Sequence, residues 1–410
     1  MEKNVLIIGA GQAATQAVAS LRQFGYGGNI TILGDEGVAP YQRPPLSKAY
    51  LMGDIGLSRL QFRGEDQWTK DGVELRVSDP AIRIDRHAKT VETKSGIKIG
   101  YDKLIIATGS RVREISCEGS SLKGINYLRT LGQSDKLKAD MEGAKSITII
   151  GAGYIGLEVA AIARKKGLEV NVIELAPRVL ARVATPVISE YFEDLHAKYG
   201  VNIITNSGVK AFVGKDKVQK VLLDDGREIA ADVVLVGIGI IPNSEIASET
   251  GVICNNGIDV DNNALTNDKD IYACGDCCNR HLELYDINMR LESVHNAIEQ
   301  AKLAAAHIVG VEPPKLDTPW FWSDQYDIKL QIAGISNGAS QHVIRGNPGE
   351  DKFAVFHLND ENRVLAIDAV NSPGEFLIGK KLVMARAIIA PHLISDSEIS
   401  MKELAANAVE

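Results

Sequence analysis

One pattern occurs twice in this chain and constrains the fold more than any other feature. An apolar, β-branched run leads into a glycine-rich turn and then into a helical pattern; the first copy begins at Val5 and the second at Ile147. Each helical pattern leads to another buried strand, so each copy predicts a strand–helix–strand unit with parallel strands. The predicted helices cover 13–24 and 155–166, and the strands that follow them cover 30–33 and 170–173.

The two turns carry the residue types that bind a dinucleotide. Glycine lets the backbone approach a pyrophosphate closely, and the start of a helix offers free N–H groups and the positive end of its dipole. One glycine-rich turn is a weak signal, but each turn here follows a strand and opens a helix. The turn residues are Gly9, Gly11 and Ala14 in the first copy and Gly151, Gly153 and Gly156 in the second.

An acidic residue follows the second strand of each unit, where it would accept a hydrogen bond from a ribose hydroxyl. In the first copy this residue is Asp35 or Glu36, and Asp35 is closer to the strand end. In the second copy it is Glu174, whose charge would repel a 2′-phosphate and so favours NADH over NADPH. Arg178 and Arg182 lie downstream and leave NADPH open as the alternative.

The fold class predicted from these units is α/β, with two Rossmann-like dinucleotide-binding domains of the glutathione-reductase type and a C-terminal α+β domain. Further buried strands are predicted at 104–109, 233–237 and 270–276, and a helix at 294–308. After residue 316 the pattern changes to alternating strands followed by helices. The predicted domains are 1–110 with 243–318, then 111–242, and finally 319–410.

Length and composition fit this plan and exclude several classes of protein. A chain of 410 residues suits two or three domains, and a net charge of −8 argues against a broad nucleic-acid-binding face. No apolar run reaches the length of a membrane span, and the N-terminus does not resemble a signal peptide. Five cysteines, an odd number, favour the reducing cytoplasm over a disulfide framework.

Two nucleotide-binding units in one chain imply two nucleotides. A hydride donor and a flavin acceptor make the economical pair, since nicotinamide gives two electrons together and flavin can release them singly. Gly275 and Asp276 end a predicted strand, and Asp276 could meet the ribityl chain of FAD. We therefore predict FAD in the first unit and NADH in the second.

A series of motifs then resembles one family over nearly the whole chain. Pro-Pro-Leu-Ser-Lys, which ends at Lys48, and Trp-Phe-Trp-Ser-Asp-Gln-Tyr, which begins at Trp320, are far more specific than the glycine turns. Together the motifs are similar to those of the oxygenase-coupled NADH-dependent ferredoxin reductases. They begin at Tyr41, Ala107, Tyr127, Gly151, Gly237, Gly275 and Trp320.

The resemblance implies roles for individual residues. Glu158 matches a residue near the nicotinamide and Trp320 an aromatic residue close to the flavin ring. Arg63 and Lys302 match positions on a basic rim that would dock an acidic ferredoxin, although both could be ordinary solvated charges. The residues implied for FAD are Ala13, Asp35, Lys48, Arg129, Asp276 and Val294, and those implied for NADH are Gly151, Gly153, Gly156 and Glu174.

Chemistry gives Lys48 and Glu158 a reason to lie together. A cation near the flavin ring would stabilise its reduced, anionic form, and a buried lysine needs a partner charge. Electrons that leave one at a time suit a [2Fe–2S] ferredoxin, which in this family serves a P450 monooxygenase or a ring-hydroxylating dioxygenase. The resemblance implies a monomer or weak dimer.

The positions of the cysteines argue against thiol chemistry and a metal site. Flavoenzymes that reduce disulfides or peroxide need a thiolate beside the flavin, but no cysteine precedes Cys117. Cys274 and Cys277 form a CxxC pair around Gly-Asp, so a redox pair stays a minor alternative. Zinc would require a second pair of ligands.

Two other functions remain open at this point. A reductase of rubredoxin or of another small acceptor would share the same flavin-side chemistry. An NADH-sensing interaction protein like apoptosis-inducing factor would share the architecture, but it often binds nucleic acid through a basic surface, which the net charge of −8 disfavours.

Overall fold

A computed structural model of the chain describes residues 4–406 and residue 408. The chain divides into two compact units, each made of three segments. The first unit contains residues 1–43, 56–111 and 240–317, and the second contains 44–55, 112–239 and 318–410.

The first unit is built on a five-stranded parallel sheet. Its central strand, Asn4–Ile8, is apolar and almost fully buried, as expected for a strand with helices on both faces. Helix Gln12–Gln23 follows it and packs against helix Val294–Val309. The strands, in sheet order, are Ile271–Ala273, Lys103–Ile106, Asn4–Ile8, Asn29–Leu33 and Val73–Arg76.

Smaller elements complete the first unit. Two antiparallel or mixed three-stranded sheets consist of Ala81–Asp85, Thr90–Thr93 and Lys98–Gly100, and of Ile258–Val260, Cys278–Leu282 and Ile287–Met289. The short helices are Leu57–Leu60, Glu65–Lys70 and Glu245–Ser248. Two short strands stand where the chain passes from one unit to the other, Ser110–Val112 and Ile240–Pro242.

The second unit contains its own five-stranded parallel sheet. Strand Ser146–Ile150 is buried at every position and leads into helix Tyr154–Lys165. The strands, in sheet order, are Val201–Ile204, Glu169–Ile173, Ser146–Ile150, Val233–Val236 and Ile125–Asn126. Helices Leu131–Met141 and Pro186–Lys198 and the antiparallel strands Val209–Gly214, Val218–Leu223 and Glu228–Ala230 belong to the same unit.

Residues 44–55 pack with the second unit, although the predicted domain plan has them with the first nucleotide-binding domain. They form a 3-10 turn, Pro44–Ser47, and a short helix, Ala49–Met52. Both contact helix Leu131–Met141, and Leu51 is fully buried in the second unit's core. Burial of Leu51 and the side-chain bonds of Ser47 and Lys48 explain the grouping.

The C-terminal part is α+β, as predicted. Its five-stranded antiparallel sheet has the order Trp320–Gln325, Ile328–Gly334, Val364–Val370, Lys352–Leu358 and Gln341–Asn347. Helix Pro373–Met384 packs on this sheet, and the 3-10 turn Pro348–Glu350 and helices Pro391–Ser395 and Met401–Ala406 complete it. Apolar residues of the sheet, such as Leu330 and Val355, share a core with helix Tyr154–Lys165.

The doubled strand–helix–strand pattern is confirmed, with helix bounds within one residue of those predicted. Within residues 4–406, none of the helices combines the length and the apolar character needed to span a membrane.

Candidate functional site

The first glycine turn leaves open space at the start of a helix. Gly9 has φ +107°, and a Cβ there would lie 2.1 Å from the Ala107 carbonyl oxygen, so only glycine fits. Gly11 is the N-cap of helix Gln12–Gln23 and has no side-chain cap, while a Cβ on Gly11 would meet nothing within 4 Å. Ala13 and Ala14 form the buried first turn of that helix.

The second turn repeats this arrangement in the other unit. A Cβ on Gly151, at φ +103°, would lie 2.4 Å from the Gly237 carbonyl oxygen, and one on Gly156 would lie 2.2 Å from the Gly151 carbonyl oxygen. Gly153 is the N-cap of helix Tyr154–Lys165, and a Cβ on it would again meet nothing within 4 Å. Both turns therefore have the free space and helix dipole that suit a pyrophosphate.

The acid of the second turn is fixed by the backbone beside it. Glu174 accepts the Ala152 N–H at 2.7 Å and the Ala176 N–H at 2.8 Å, one with each carboxylate oxygen. Arg178 is occupied elsewhere, because it donates to the Ala184 carbonyl oxygen at 2.7 Å and to Ser189 Oγ at 2.5 Å. The carboxylate is thus held next to the turn with lone pairs left for ribose hydroxyls.

Arg182 differs from Arg178. Its exposed guanidinium lies against Gly239, where an added Cβ would be 3.5 Å from one of its nitrogens. Arg182 makes no side-chain hydrogen bond or ion pair with any residue in the part of the chain that the structure describes. Of the two arginines downstream of Glu174, Arg182 is therefore the one with unused donors that could meet a 2′-phosphate.

The two acids after the first unit's second strand have different environments. Glu36 accepts hydrogen bonds from Tyr41 Oη and from Arg43, both at 2.5 Å. Asp35 is exposed and has no side-chain partner among residues 4–406 and 408. Of the two acids that the sequence left open, Asp35 is the one available to a ribose.

The Gly275–Asp276 loop lies against the start of the first unit's helices. Gly275 has φ +89°, and a Cβ on it would lie 3.4 Å from that of Ala13. Its N–H donates to Gln300 Oε1 at 2.7 Å, and Ser110 Oγ donates to Asp276 Oδ2 at 3.1 Å. The sequence-predicted Ala13 and Asp276 are thus brought together in one unit, together with Gly9 and Gly11.

Buried polar atoms without partners lie behind this loop. Gln300 Nε2 and Asn296 Oδ1 are buried and have no hydrogen-bond partner among the described residues. Both belong to helix Val294–Val309, whose N-cap Ser293 accepts the Asn296 N–H at 3.1 Å. Because orphaned buried polar atoms are costly, they fit a site completed by a bound polar group. Val294 is the first residue of that helix, directly after Ser293.

The second unit contains a buried charged cluster centred on Glu158. Its carboxylate is 2% exposed and lies 2.6 Å from Lys48 Nζ. Ser47 Oγ donates to Oε2 at 2.5 Å and Ser323 Oγ donates to Oε1 at 2.7 Å. A buried carboxylate with a cation and two hydroxyl donors is well compensated.

The structure therefore brings Lys48 and Glu158 together, as the sequence predicted. It also adds two residues, Ser47 and Ser323, that sequence reasoning did not single out. The available signal was their position in the two most specific motifs, Pro-Pro-Leu-Ser-Lys and Trp-Phe-Trp-Ser-Asp-Gln-Tyr. Because Ser47, Glu158 and Ser323 stand in three separate stretches of sequence, the motifs could not show that both hydroxyls meet the Glu158 carboxylate.

Trp320 and Arg129 occupy defined positions in the same unit. Trp320 begins strand Trp320–Gln325, and its ring lies 5.5 Å from that of Trp322 and 5.8 Å from that of Phe376. Arg129 precedes helix Leu131–Met141, and its N–H donates to Gln133 Oε1 at 2.8 Å. Both side chains are half-buried.

The two residues predicted to dock a partner belong to the first unit. Arg63 forms an ion pair with Asp71, and its guanidinium lies 4.7 Å above the Trp68 ring. Lys302 is half-buried on helix Val294–Val309 and has no ion-pair partner in the described part of the chain. Lys302 is thus the one of these two cations whose charge is not already paired within the described residues.

All five cysteines, each within the described residues, are free thiols. Cys274, Cys277 and Cys278 are buried, and burial raises the pKa of the Cys274 thiol well above its usual value. Residues 4–406 and 408 bring together no group of three or more histidine, cysteine or acidic side chains suited to a metal ion. The pKa of the Cys277 thiol is lowered, chiefly by its hydrogen bond with Cys278, but both thiols of the CxxC pair are fully buried and so lack the exposure of a redox motif.

Comparison with known proteins decides the family. The sequence profile described as pyridine nucleotide-disulphide oxidoreductase matches residues 3–301, and one described as reductase C-terminal matches residues 320–405. This chain belongs to the pyridine nucleotide-disulphide oxidoreductase family. It is an oxidoreductase, and FAD and a nicotinamide nucleotide are its cofactors.

Members with full-length similarity include reductases of small electron carriers. Rhodocoxin reductase of Rhodococcus erythropolis is 41% identical over 400 residues, which are 97% of this chain and 93% of that protein. The crystal structure of the ferredoxin reductase for the CYP199A2 system from Rhodopseudomonas palustris is 42% identical, with a TM-score of 0.95 over 98% of this chain and 100% of that one.

A second similar structure contains an electron carrier as well. The crystal structure of the covalent putidaredoxin reductase–putidaredoxin complex has 39% identity and a TM-score of 0.96, with 99% of each chain covered. The fold predicted from the sequence and its resemblance to the ferredoxin reductases are therefore confirmed.

Proposed function

We propose that this chain is an NADH:ferredoxin oxidoreductase that passes electrons from NADH, through FAD, to a [2Fe–2S] ferredoxin. That ferredoxin would in turn serve a P450 monooxygenase or a ring-hydroxylating dioxygenase. The observation that carries the proposal lies on helix Tyr154–Lys165. Its N-terminus forms the second glycine turn, and its Glu158 holds Lys48 at 2.6 Å. One helix thus joins the nucleotide turn to the charged cluster.

FAD, when bound, supplies an acceptor for two electrons that can release them one at a time. The residues of this chain would bind the two nucleotides and orient them for electron transfer. Lys48 would offer positive charge to a reduced, anionic ring, and Glu158 would hold Lys48 in place. No thiolate or proton-transferring side chain is needed, because stacking and orientation suffice for hydride transfer.

The residues that we assign to the cofactors follow from the two turns and from the family resemblance. For NADH they are Gly151, Gly153, Gly156 and Glu174. For FAD they are Gly9, Gly11, Ala13, Ala14, Asp35, Lys48, Arg129, Asp276 and Val294. Trp320 would lie near the flavin ring. The free space at Gly11 and Gly153 and the orphaned atoms of Asn296 and Gln300 support these assignments.

NADH is the favoured donor because Glu174 is fixed as an anion beside its turn and Arg178 is occupied by the backbone. The five free thiols support the expected cytoplasmic setting. A ferredoxin is the favoured acceptor because one similar structure is named a ferredoxin reductase and another is a complex of putidaredoxin reductase with putidaredoxin. We assign it a [2Fe–2S] cluster because such a cluster accepts electrons one at a time.

Lys302 gives a direct test of partner docking. Lys302→Glu should weaken ferredoxin-dependent turnover about tenfold at low salt and leave ferricyanide reduction unchanged, because ferredoxins are usually acidic. Arg63→Glu is a poorer probe, since Arg63 also binds Asp71 and Trp68. Equal loss of both activities in Lys302→Glu would instead indicate structural damage.

Anaerobic titration of the purified holoprotein tests the cofactor part of the proposal. NADH should bleach the flavin absorbance at far lower concentration than NADPH. A colourless protein that does not take up FAD would overturn the proposal. A persistent long-wavelength band with slow turnover would favour an NADH-sensing interaction protein.

A further inference from the structure

A chain of hydrogen bonds leads from Glu158 into the interior of the second unit. Ser323 Oγ donates to Glu158 Oε1 at 2.7 Å, and Gln325 Nε2 donates to Ser323 Oγ at 3.2 Å. Gln325 Oε1 lies 2.8 Å from His196 Nε2, and His196 Nδ1 lies 3.3 Å from Tyr326 Oη. Three side chains thus connect the Glu158 carboxylate to Tyr326.

The chemistry of the groups fixes the direction of the chain. Ionised Glu158 can only accept, so the single hydroxyl proton of Ser323 is used on it. Ser323 must then accept from the amide nitrogen of Gln325, which turns the amide oxygen towards His196. His196 must donate through Nε2, and its Nδ1 is left to accept from Tyr326. Every donor therefore points towards Glu158.

The hydrogen-bond chain is buried from Glu158 to His196, and only its outer residue, Tyr326, is half-buried. Ser323 and His196 are 0% exposed, Gln325 is 1% exposed and Glu158 is 2% exposed. Ser323 and Gln325 lie two apart on strand Trp320–Gln325 and so share one face, while His196 comes from helix Pro186–Lys198. Because no water competes, loss of one donor leaves its acceptor unpaired and loosens the next group.

Its outer end is held by stacked aromatic rings. Tyr326 has a positive φ of +57° in the turn between two strands, and its ring lies 3.7 Å from that of Tyr199 at an angle of 9°. The stack keeps the Tyr326 hydroxyl close to His196. The hydrogen-bond chain is therefore held at both ends. The ion pair of Lys48 and Glu158 holds its inner end, and the stacked tyrosine rings hold its outer end.

We propose that His196 is a positioning residue for the reaction, which acts through Gln325 and Ser323 to hold the Glu158 carboxylate, and thereby Lys48, in one orientation. The inference rests on the proposed function for the role of Lys48 and Glu158. His196 itself touches neither of them. Burial also lowers the pKa of His196 to about 4, so the imidazole is neutral at working pH and can accept from Tyr326.

The competing explanation is that His196 merely fills a buried position, and three variants separate the two. His196→Phe keeps a ring but removes the donor, whereas His196→Gln can place a nitrogen where Nε2 lies. His357→Gln is the matched control, because His357 is also fully buried in the second unit but pairs with His342 and Asp368.

The first readout needs no turnover. Nitrogen-15 NMR of the histidine-labelled holoprotein at pH 7 should show His196 as the neutral Nε2–H tautomer, and Tyr326→Phe should shift the Nδ1 resonance. An Nδ1–H tautomer or an imidazolium would overturn the proposed direction of the chain. Because this readout does not depend on NADH, it stays informative even if the proposed function fails.

The second readout is the limiting rate of flavin reduction by NADH, measured together with the affinity for NAD⁺. His196→Phe should slow reduction about three- to tenfold, the value of one buried hydrogen bond, with unchanged NAD⁺ affinity. His196→Gln should restore most of the rate, and His357→Gln should leave it unchanged. Equal slowing by His196→Phe and His357→Gln would leave His196 a purely structural role.

A double-mutant cycle keeps the test valid if His196→Phe also lowers stability. Ser323→Ala cuts the chain at Glu158, so adding His196→Phe to it should slow reduction no further, although both changes still lower the melting temperature. If His196→Phe slows the Ser323→Ala protein as much as it slows the wild type, the effect does not travel through the chain and the proposal is wrong.

Discussion

Lys48 Nζ lies 2.6 Å from Glu158 Oε1, and the carboxylate of this pair is 2% exposed while the lysine side chain is 19% exposed. The two charges compensate each other in a place where water reaches only the lysine. Either residue alone would leave an unpaired charge in the interior of the second unit, which is costly. The pair can therefore be tested through stability as well as through catalysis.

Replacing one residue of this pair should lower the stability of the protein more than replacing both. We expect Lys48→Met to lower the free energy of unfolding by about 3 kcal/mol, because buried Glu158 then lacks its cation. The double variant Lys48→Met/Glu158→Gln should recover at least half of that loss. Urea unfolding of the holoproteins measures this, with exposed Lys166→Met as a control expected to lie within about 0.5 kcal/mol of wild type. Additive losses would contradict a coupled pair.

The choice of nicotinamide nucleotide should depend on Glu174. Glu174→Gln keeps the size of the side chain but removes the charge that repels a 2′-phosphate. We expect kcat/KM for NADH to fall about tenfold, the value of a charge-assisted hydrogen bond, and that for NADPH to rise. Adding Arg182→Ala should reverse the gain with NADPH. An unchanged ratio of the two kcat/KM values would show that Glu174 does not distinguish the two riboses. The control is Glu169→Gln, at the exposed start of the same strand.

Replacing Gly11 or Gly153 with alanine should leave the fold intact but weaken nucleotide binding. Neither has a positive φ, and an added Cβ would meet nothing within 4 Å in the protein. We expect each alanine variant to melt within about 2 °C of wild type as apoprotein. Gly11→Ala should lose FAD content, and Gly153→Ala should raise the NADH dissociation constant at least about tenfold, because the methyl group enters the pyrophosphate space.

Gly9→Ala and Gly151→Ala supply the contrast. There an added Cβ would lie within 2.4 Å of a carbonyl oxygen, at a positive φ. These variants should unfold at clearly lower temperature whether or not a nucleotide is present. If Gly153→Ala behaved like Gly151→Ala, the open space beside Gly153 would have no role of its own.

His196 should make the stability of the protein depend on pH. Burial lowers its pKa from 6.5 to about 4, so the unfolded chain binds a proton below pH 6.5 that the folded chain does not. The contribution is fully present above pH 6.5 and is lost as pH falls towards 4, by about 2 kcal/mol at pH 5. Urea unfolding at pH 7 and pH 5 should show this loss in wild type but not in His196→Gln. The same loss of stability in both proteins would show that a group other than His196 is responsible.

The two nucleotide-binding units could be predicted because their signal is local. Each strand, glycine turn and helix stands within about 30 residues of sequence, and the observed helices Gln12–Gln23 and Tyr154–Lys165 differ from prediction by one residue. Glu174 could likewise be placed, since it follows its strand directly. The family resemblance added Lys48 and Glu158, whose pairing is long-range.

The other features of the fold and of the site depend on long-range contacts, which leave no local pattern in the sequence. Residues 44–55 pack with the second unit because of Leu51 and the bonds to Glu158, and neither is visible in the order of the segments. His196 and Gln325 are 129 positions apart, and a single histidine in a helical pattern has many explanations. The sequence favoured Asp35 over Glu36 through its place at the strand end and the family resemblance, but the bonds of Tyr41 and Arg43 to Glu36 are contacts that only the structure shows.

Electron transfer to ferredoxin is tested by the rate of NADH-dependent cytochrome c reduction by the holoprotein, measured with and without added [2Fe–2S] ferredoxin and, in parallel, with rubredoxin. We expect a slow rate without a carrier, a strong rise with ferredoxin that saturates as its concentration increases, and little response to rubredoxin. A rate that ferredoxin does not raise, or that only rubredoxin raises, would contradict the proposed function.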